Sequence, residues 1–439
     1  MRWAWPLVRA GGHAEVLPLL ERVAAAIPRL EGTTGVRFWT LLAECLTELQ
    51  VDDARANVAV SRASALVRDG ADAADVELAA SRLARARADA GAERALLRTA
   101  IERLGDADEG GRAAEGRAHM ADLLVRAGDL PAAVLEAGLA LRAAGGDVVR
   151  YATTLGYAQL AAGQISQAEL TFRSADARAR AEGRTAWRAL SGLVVVLVTQ
   201  GRYSEAAEIG DATERDGRAG APGDRLASLQ LALAELDLAL FRQGVARSRL
   251  DQALDALRGE VPPRLEVRLA LVRTRLAWEA GDLGAAIGIA EDALRSPGVA
   301  VARVGAAEVR GVRGVLLCAQ GRPDVGWIDL AVAVSELVEM GGLPALARVA
   351  EMATLCIDDA AIVEPLWTPL SHWIDEERAR SARLARAVNR LRYVRNRGWN
   401  DADEAQAVYA SWSDLVAQLQ PNDASAMLVH PWARLGGRL

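Results

Sequence analysis

The sequence predicts an all-α protein, a solenoid of about nine to ten helical hairpins with a C-terminal helical cap. Three observations carry this. At 439 residues the chain exceeds the roughly 250–300 at which one hydrophobic core stops growing, so it is several domains or a repeat array. Apolar residues reach 51% while aromatics reach only 4%, so the core has to come from Ala, Leu and Val. Ala is the best helix former and lets helices approach closely. Finally, a short Gly-centred turn recurs at the spacing of one hairpin plus its connection.

The clear copies of that turn are Gly12-His13-Ala14-Glu15, Gly128-Asp129-Leu130-Pro131-Ala132-Ala133, Gly163-Gln164-Ile165-Ser166-Gln167-Ala168, Gly201-Arg202-Tyr203-Ser204-Glu205-Ala206 and Gly281-Asp282-Leu283-Gly284-Ala285-Ala286. Weaker copies sit at Gly91, Gly244 and Gly321, and another turn is expected near Val51-Asp52. From Gly91 onward the glycines are separated by 37, 35, 38, 43, 37 and 40 residues. Gly ends each first helix, because a left-handed backbone is cheap only there. An Asp, Ser or Glu just beyond can satisfy free amides of the second helix. The Ala five residues past the Gly lets the two helices touch.

With the turn Gly as position 15, residues 151–182 resemble the tetratricopeptide (TPR) repeat. Leu155 and Gly156 fall on its Leu-Gly pair, and Ala168, Phe172 and Ala175 on its small-aromatic-small triad. The repeat at Gly281 keeps Ala286 and Ala293, and that at Gly128 keeps Ala133 and Ala140. The repeat at Gly201 keeps Leu193 and Ala206 but has Gly210 at the aromatic position. The copies are degenerate and often longer than the family's 34 residues. The resemblance covers about residues 1–345 and is similar to the arrays of large bacterial signalling and transcription regulators and serine/threonine kinases. It implies a right-handed α-solenoid over 1–345. Residues 346–439 would then hold a degenerate last repeat, from Leu343 to Cys356 and on from Asp359, and a cap rich in Trp and Arg. Pro365 and Pro369 are expected to disturb that last pair.

Two ends of the chain stand apart. The first helix, Arg2 to Ala10, carries Trp3 and Trp5 where a polar cap is usual, so either it caps the stack itself or the start lies inside a longer protein. Near the other end, Arg378, Arg380, Arg383, Arg386, Arg390, Arg392, Arg395 and Arg397 run without an acid between them. Leu384, Val388 and Leu391 share one face of that helix. Acids flank it at Asp375, Glu376, Glu377, Asp401, Asp403 and Glu404, so a solvated, charge-balanced face is favoured over a contact for an acidic partner, a membrane or nucleic acid. Trp367, Trp373, Trp399, Trp412 and Trp432 are expected to build a small dense core in the cap.

No catalytic apparatus is legible. All 52 basic residues are Arg, which removes the lysine that phosphate-loop ATPases, protein kinases and Schiff-base enzymes need. His13, His119, His372 and His430 are too scattered for a metal motif, and no GxSxG or strand-borne GxGxxG occurs. Asp52-Asp53 and Asp358-Asp359 read as helix caps. Cys45, Cys318 and Cys356 lie far apart in apolar helical contexts, expected as buried free thiols in a reducing cytoplasm. No cofactor is expected. Net charge −6 gives no nucleic-acid signal, and the longest aliphatic run, Leu193 to Val198, is far too short to span a bilayer.

The resemblance implies a non-catalytic scaffold whose first helices line a concave, peptide-binding face. Positions 2, 5, 9 and 12 place Arg150, Tyr157, Arg188, Arg268, Arg275 and Trp278 there. Arginines beside Tyr and Trp suit an acidic or carboxylate-bearing peptide. The alternative is the effector-sensing half of a multidomain regulator or kinase whose output domain is encoded elsewhere.

Overall fold

The computed structural model describes residues 12–26, 30–49, 51–106, 109–145, 147–217, 223–259 and 261–419, together with Ala4 and Val8. Among these the regular structure is helical throughout, with no strand. Hairpins follow one another as α1 (His13–Ala26), α2 (Gly32–Glu48), α3 (Asp53–Ser64), α4 (Gly70–Ala86), α5 (Ala90–Asp106), α6 (Gly110–Ala127), α7 (Leu130–Arg142), α8 (Val148–Ala161) and α9 (Ile165–Ala181). They continue as α10 (Trp187–Thr199), α11 (Tyr203–Gly217), α12 (Gly223–Ala239), α13 (Gln243–Leu257), α14 (Pro263–Glu279), α15 (Leu283–Arg295), the short α16 (Pro297–Val301), α17 (Arg303–Ala319) and α18 (Pro323–Met340). The last elements are α19 (Leu343–Cys356), α20 (Ala360–Trp367), a 3₁₀ turn (Thr368–Leu370), α21 (Ser371–Glu376), α22 (Arg380–Asn396) and α23 (Ala402–Val416). The Trp3 and Trp5 helix, His430 and Trp432 lie outside the described residues.

The turns follow one rule. A left-handed residue stands two positions before the second helix, at Gly128, Gly163, Gly201, Gly281 and Gly321. Its amide and the next one close back on the first helix: Gly163 N–H donates to Leu160 O at 3.2 Å and Gln164 N–H to Gln159 O at 2.9 Å. This is the Schellman arrangement, which satisfies the carbonyls a helix end leaves free. Two weaker copies are corrected. The left-handed residues are Ala88 and Phe241, three positions before Gly91 and Gly244, which lie inside the second helices. Non-glycine residues adopt this conformation at a cost of about 1–2 kcal/mol. Re-centred in this way, the turn residues stand 40, 35, 38, 40, 40 and 40 residues apart from Ala88 to Gly321.

The residue five past each turn is buried as expected: Ala133, Ala168, Ala206, Ala246 and Ala286 have no exposed surface. Gly326 takes the same place after Gly321, where a Cβ would stand 2.6 Å from Gly314 O. Asp caps start several second helices, with Arg55 N–H donating to Asp52 Oδ1 at 2.9 Å and Ala285 N–H to Asp282 Oδ1 at 2.8 Å. Asp359 caps α20 through Ala361 N–H at 2.9 Å. The tenth pair forms, with Pro365 inside α20 and the break falling at the 3₁₀ turn that contains Pro369.

The chain divides into two compact units. The smaller holds residues Met1–Leu124 and Ala132–Thr154. One core of it joins Val36, Phe38, Trp39, Leu41 and Leu46 to Ala56, Ala59 and Ala63. The larger holds Val125–Pro131 and Leu155–Leu439. There Phe172 is fully buried, and Leu231, Leu238, Leu250 and Leu276 form part of a core spanning α12 to α14. In the last helices Trp367 is buried, its indole donating to Thr354 Oγ1 at 3.2 Å, and Trp373 is buried too. Trp399 departs from the expected dense core, being 53% exposed. Of the thiols only Cys45 is fully buried; Cys318 and Cys356 are half-buried.

Candidate ligand-binding face

The first helix of each hairpin carries the polar residues that the repeat positions single out. They do not stand alone. In the larger unit Glu235 on α12 meets Arg268 on α14, Nε to Oε1 at 2.8 Å. Tyr157 on α8 donates its hydroxyl to the Arg188 carbonyl at 2.8 Å, and the Arg188 guanidinium lies 5.6 Å over the Tyr157 ring. In the smaller unit Arg82 on α4 meets Glu115 on α6 at 2.6 Å and Glu44 on α2 at 3.2 Å.

Counted from the turn residue as position 15, Arg82, Tyr157 and Glu235 all occupy position 9. Each reaches position 2 of the next first helix, at Glu115, Arg188 and Arg268. In each case the middle of one first helix thus meets the start of the next. These rungs run from one repeat to the following one, and their polarity is not constant.

The six predicted residues divide between the units. Arg150 belongs to the smaller, where Nη2 lies 3.3 Å from His119 Nε2 and 3.9 Å from Glu115. His119 is half-buried, and its desolvation, with Arg82 and Arg150 nearby, holds its pKa well below the usual imidazole value. The neutral ring therefore presents Nε2 as the acceptor for Arg150.

The other five belong to the larger unit. Arg275 on α14 pairs with Glu279 at 2.9 Å, donates to Leu238 O at 3.1 Å and lies over the Phe241 ring. Burial raises the Glu279 pKa, with Arg275 opposing. Arg268 lies within electrostatic reach of Tyr157 and of Arg348 on α19, so side chains of α8, α14 and α19 face common ground. Its Nη2 is buried without a hydrogen-bond partner among the described residues. Trp278 is half-buried on the last turn of α14. Among the described residues no carboxylate pairs with Arg188.

The predicted list omits Glu235, Glu308, Arg348 and Glu351. Arg348 grips Glu308 on α17 through two parallel bonds of 2.6 and 2.8 Å. Ser381 Oγ donates to Glu351 at 2.9 Å. Glu235 was hidden by the three-residue error at Gly244, which puts Leu238 on position 9; with Phe241 as the turn, Glu235 falls there. Glu308 stands at position 2 of the repeat turning at Gly321 and was open to the same mapping.

The Arg-rich run is structural in most of its length. Arg380 pairs with Asp414, Arg390 with Glu364 at 3.2 Å, and Arg395 with Asp401 at 2.5 Å. Arg392 donates to the carbonyls of Thr354, Ile357 and Asp358 at the end of α19. Arg397 lies over both Tyr393 and Trp399. Among the described residues no group of His, Cys, Asp and Glu is placed to hold a metal ion, and no helix is long and apolar enough to cross a membrane.

No protein-family model matches the chain, and no curated protein does. Solved structures do. A Rap protein in complex with Competence and Sporulation Factor superposes with a TM-score of 0.53 at 13% identity, over 79% of this chain and 99% of that one. The likeness is one of architecture, a TPR-like helical-repeat fold. Lesser likenesses are a tetratricopeptide repeat protein from Parabacteroides merdae, with TM-score 0.37, 12% identity and coverage of 68% and 99%, and the APC/C hetero-tetramer Cut9–Hcn1, with TM-score 0.34, 12% identity and coverage of 99% and 95%. At 13% identity the Rap likeness shows the fold alone, an all-α solenoid.

Proposed function

We propose that this TPR-like chain is a non-catalytic interaction scaffold, and that the first helices of the larger unit form the concave face that takes a protein or peptide ligand. One observation carries the reading: Tyr157, Arg188 and Arg268, on three different first helices, cluster with polar capacity left over. The Arg188 guanidinium stacks on an aromatic ring and has no carboxylate partner among the described residues, while Arg268 keeps Nη2 unbonded. A stacked, unpaired guanidinium is well placed to receive a carboxylate through two parallel bonds. Arg268 and Arg275 already hold Glu235 and Glu279, so the ligand needs one anchoring carboxylate rather than an acidic run.

The complex of the Rap protein with Competence and Sporulation Factor supports the reading, since a chain of like fold holds another molecule. The same proposal places the protein in bacterial regulation in the cytoplasm, in keeping with a lysine-free composition of the kind GC-rich genomes produce. The test is affinity capture from native lysate by the wild type and by the triple variant Arg188→Ala, Arg268→Ala, Arg275→Ala, with folding checked by circular dichroism. Loss of a specific set of captured proteins from the folded triple variant is expected. An unchanged set would remove the concave-face assignment.

A further inference from the structure

The turns at Gly163 and Gly201 do more than join helices: residues far along the chain close on them. The Trp373 indole N–H donates to Gly163 O at 2.8 Å, and a Cβ on Gly163 would stand 3.0 Å from that nitrogen. Glu377 Oε2 accepts the Ser166 amide at 2.7 Å. Arg380 Nη1 donates to Gln200 O at 3.1 Å. A Cβ on Gly201 would lie 2.7 Å from Leu415 Cδ1 and 3.0 Å from Arg380 Cβ.

These contacts are helix caps supplied from outside. The cap position of α9, Gln164, makes no side-chain bond, and Ser166 N–H is one of the amides a helix start leaves free. Glu377 satisfies it and sets a negative charge at the positive end of α9. Arg380 sets a positive charge at the negative end of α10. Both placements are favourable with the helix dipole.

The same segment touches the polar layer of first helices. Ser381, next to Arg380, bonds Glu351 on α19, and Glu351 lies within electrostatic reach of Arg275 and Arg348. Tyr203, the buried first residue of α11, also meets Ser381.

We infer that residues 371–416 are a latch, docked on the two turns by polar caps and wired through Ser381 and Glu351 to the arginines of the first-helix layer. Removing positive charge beside Glu351 weakens its hold on Ser381, shifts the start of α22, and loosens the Glu377 and Arg380 caps. An anion that engages Arg275 and Arg348 acts in the same direction. By linkage an undocked latch then raises affinity for that anion. The latch stands on the contacts, and its wiring on the Ser381–Glu351 bond with the electrostatic reach of Glu351 to the two arginines; only this last consequence rests on the concave-face reading.

The readout is hydrogen exchange at single amides in the full-length chain. The Ser166 amide owes its protection to the latch, whereas that of Phe172, inside α9, does not. Glu377→Ala should speed exchange at Ser166 by about tenfold or more and leave Phe172 unchanged. Arg275→Gln and Arg348→Gln, both distant from Ser166, should each speed it by at least about threefold. An unchanged Ser166 rate in Glu377→Ala overturns the latch. A faster rate in Glu377→Ala with wild-type rates in both arginine variants overturns the wiring, and with it the proposal. Neither outcome depends on whether a peptide binds, so failure here is separable from failure of the capture experiment.

Discussion

The Phe172 ring occupies the space that a side chain on Gly156 would need: a Cβ there would lie 2.5 Å from Phe172 Cε1. Gly192, on the other side, would bring a Cβ within 2.4 Å of Cζ. One ring on α9 is thus cradled by the backbones of α8 and α10. Gly156→Ala should cost about 1–3 kcal/mol through overpacking, and Phe172→Ala about 3–5 kcal/mol through the cavity left behind. Combining Gly156→Ala with Phe172→Leu should recover part of the first loss. Urea unfolding of these variants and of Phe172→Leu alone checks this; strictly additive losses would show that the ring and the glycine do not share the site.

Ala88 is exposed and left-handed, at φ 57°. Replacing it by Gly removes the steric cost of that conformation and adds some unfolded-chain entropy, for a net gain of about 0.5 kcal/mol. The converse change, Gly281→Ala, meets no neighbour within 4 Å, so its expected loss of about 1 kcal/mol is purely conformational. Shifts of denaturation midpoint in opposite directions are the expected pair of results.

His119 makes the smaller unit sensitive to acid. Unfolded, an imidazole titrates near 6.5; folded, desolvation and the nearby Arg82, Arg150 and Arg85 hold the pKa well below that, with Glu115 opposing. As pH falls the unfolded chain takes up the proton first. This contribution is therefore fully present above about pH 6.5 and declines below it, by at most about 1.4 kcal/mol per pH unit, until the folded pKa is reached. His119→Asn should flatten the stability profile between pH 6.5 and 5 relative to wild type. Asp75 and Glu77, whose pKa values burial raises, are common to both proteins and drop out of the difference.

Arg392 and Arg386 sit on the same helix with opposite expectations. Arg392 closes three carbonyls at the end of α19, so Arg392→Gln should cost about 1–3 kcal/mol. Arg386 has no carboxylate partner among the described residues, and Arg386→Gln should stay within about 0.5 kcal/mol. Thermal unfolding of the two variants distinguishes a structural helix from a surface held in reserve for a partner, which would make both changes neutral.

The hairpins are legible in the sequence because their determinants are local: a left-handed turn residue, a cap, and a small residue five positions on. Two turns fall elsewhere than a glycine pattern puts them because glycine is the cheapest left-handed residue and not a required one; Ala88 and Phe241 hold the conformation under the constraint of the helices they join. That offset moves position 9 by three residues and hides Arg82 and Glu235. Arg188 and Tyr157, by contrast, are each singled out by the repeat positions, although their contact with one another is not. The closing of Trp373 on Gly163 is not legible either, since nothing local in either segment encodes a partner 210 residues away.

The rungs between successive first helices have one more consequence. Arg82 reaches forward to Glu115, while Glu235 reaches forward to Arg268. The first junction reads base then acid, the second acid then base. Exchanging repeats between these places would set like charges opposite each other. These two rungs therefore disfavour mispairing: a hairpin packed against the wrong neighbour at either junction would meet a like charge.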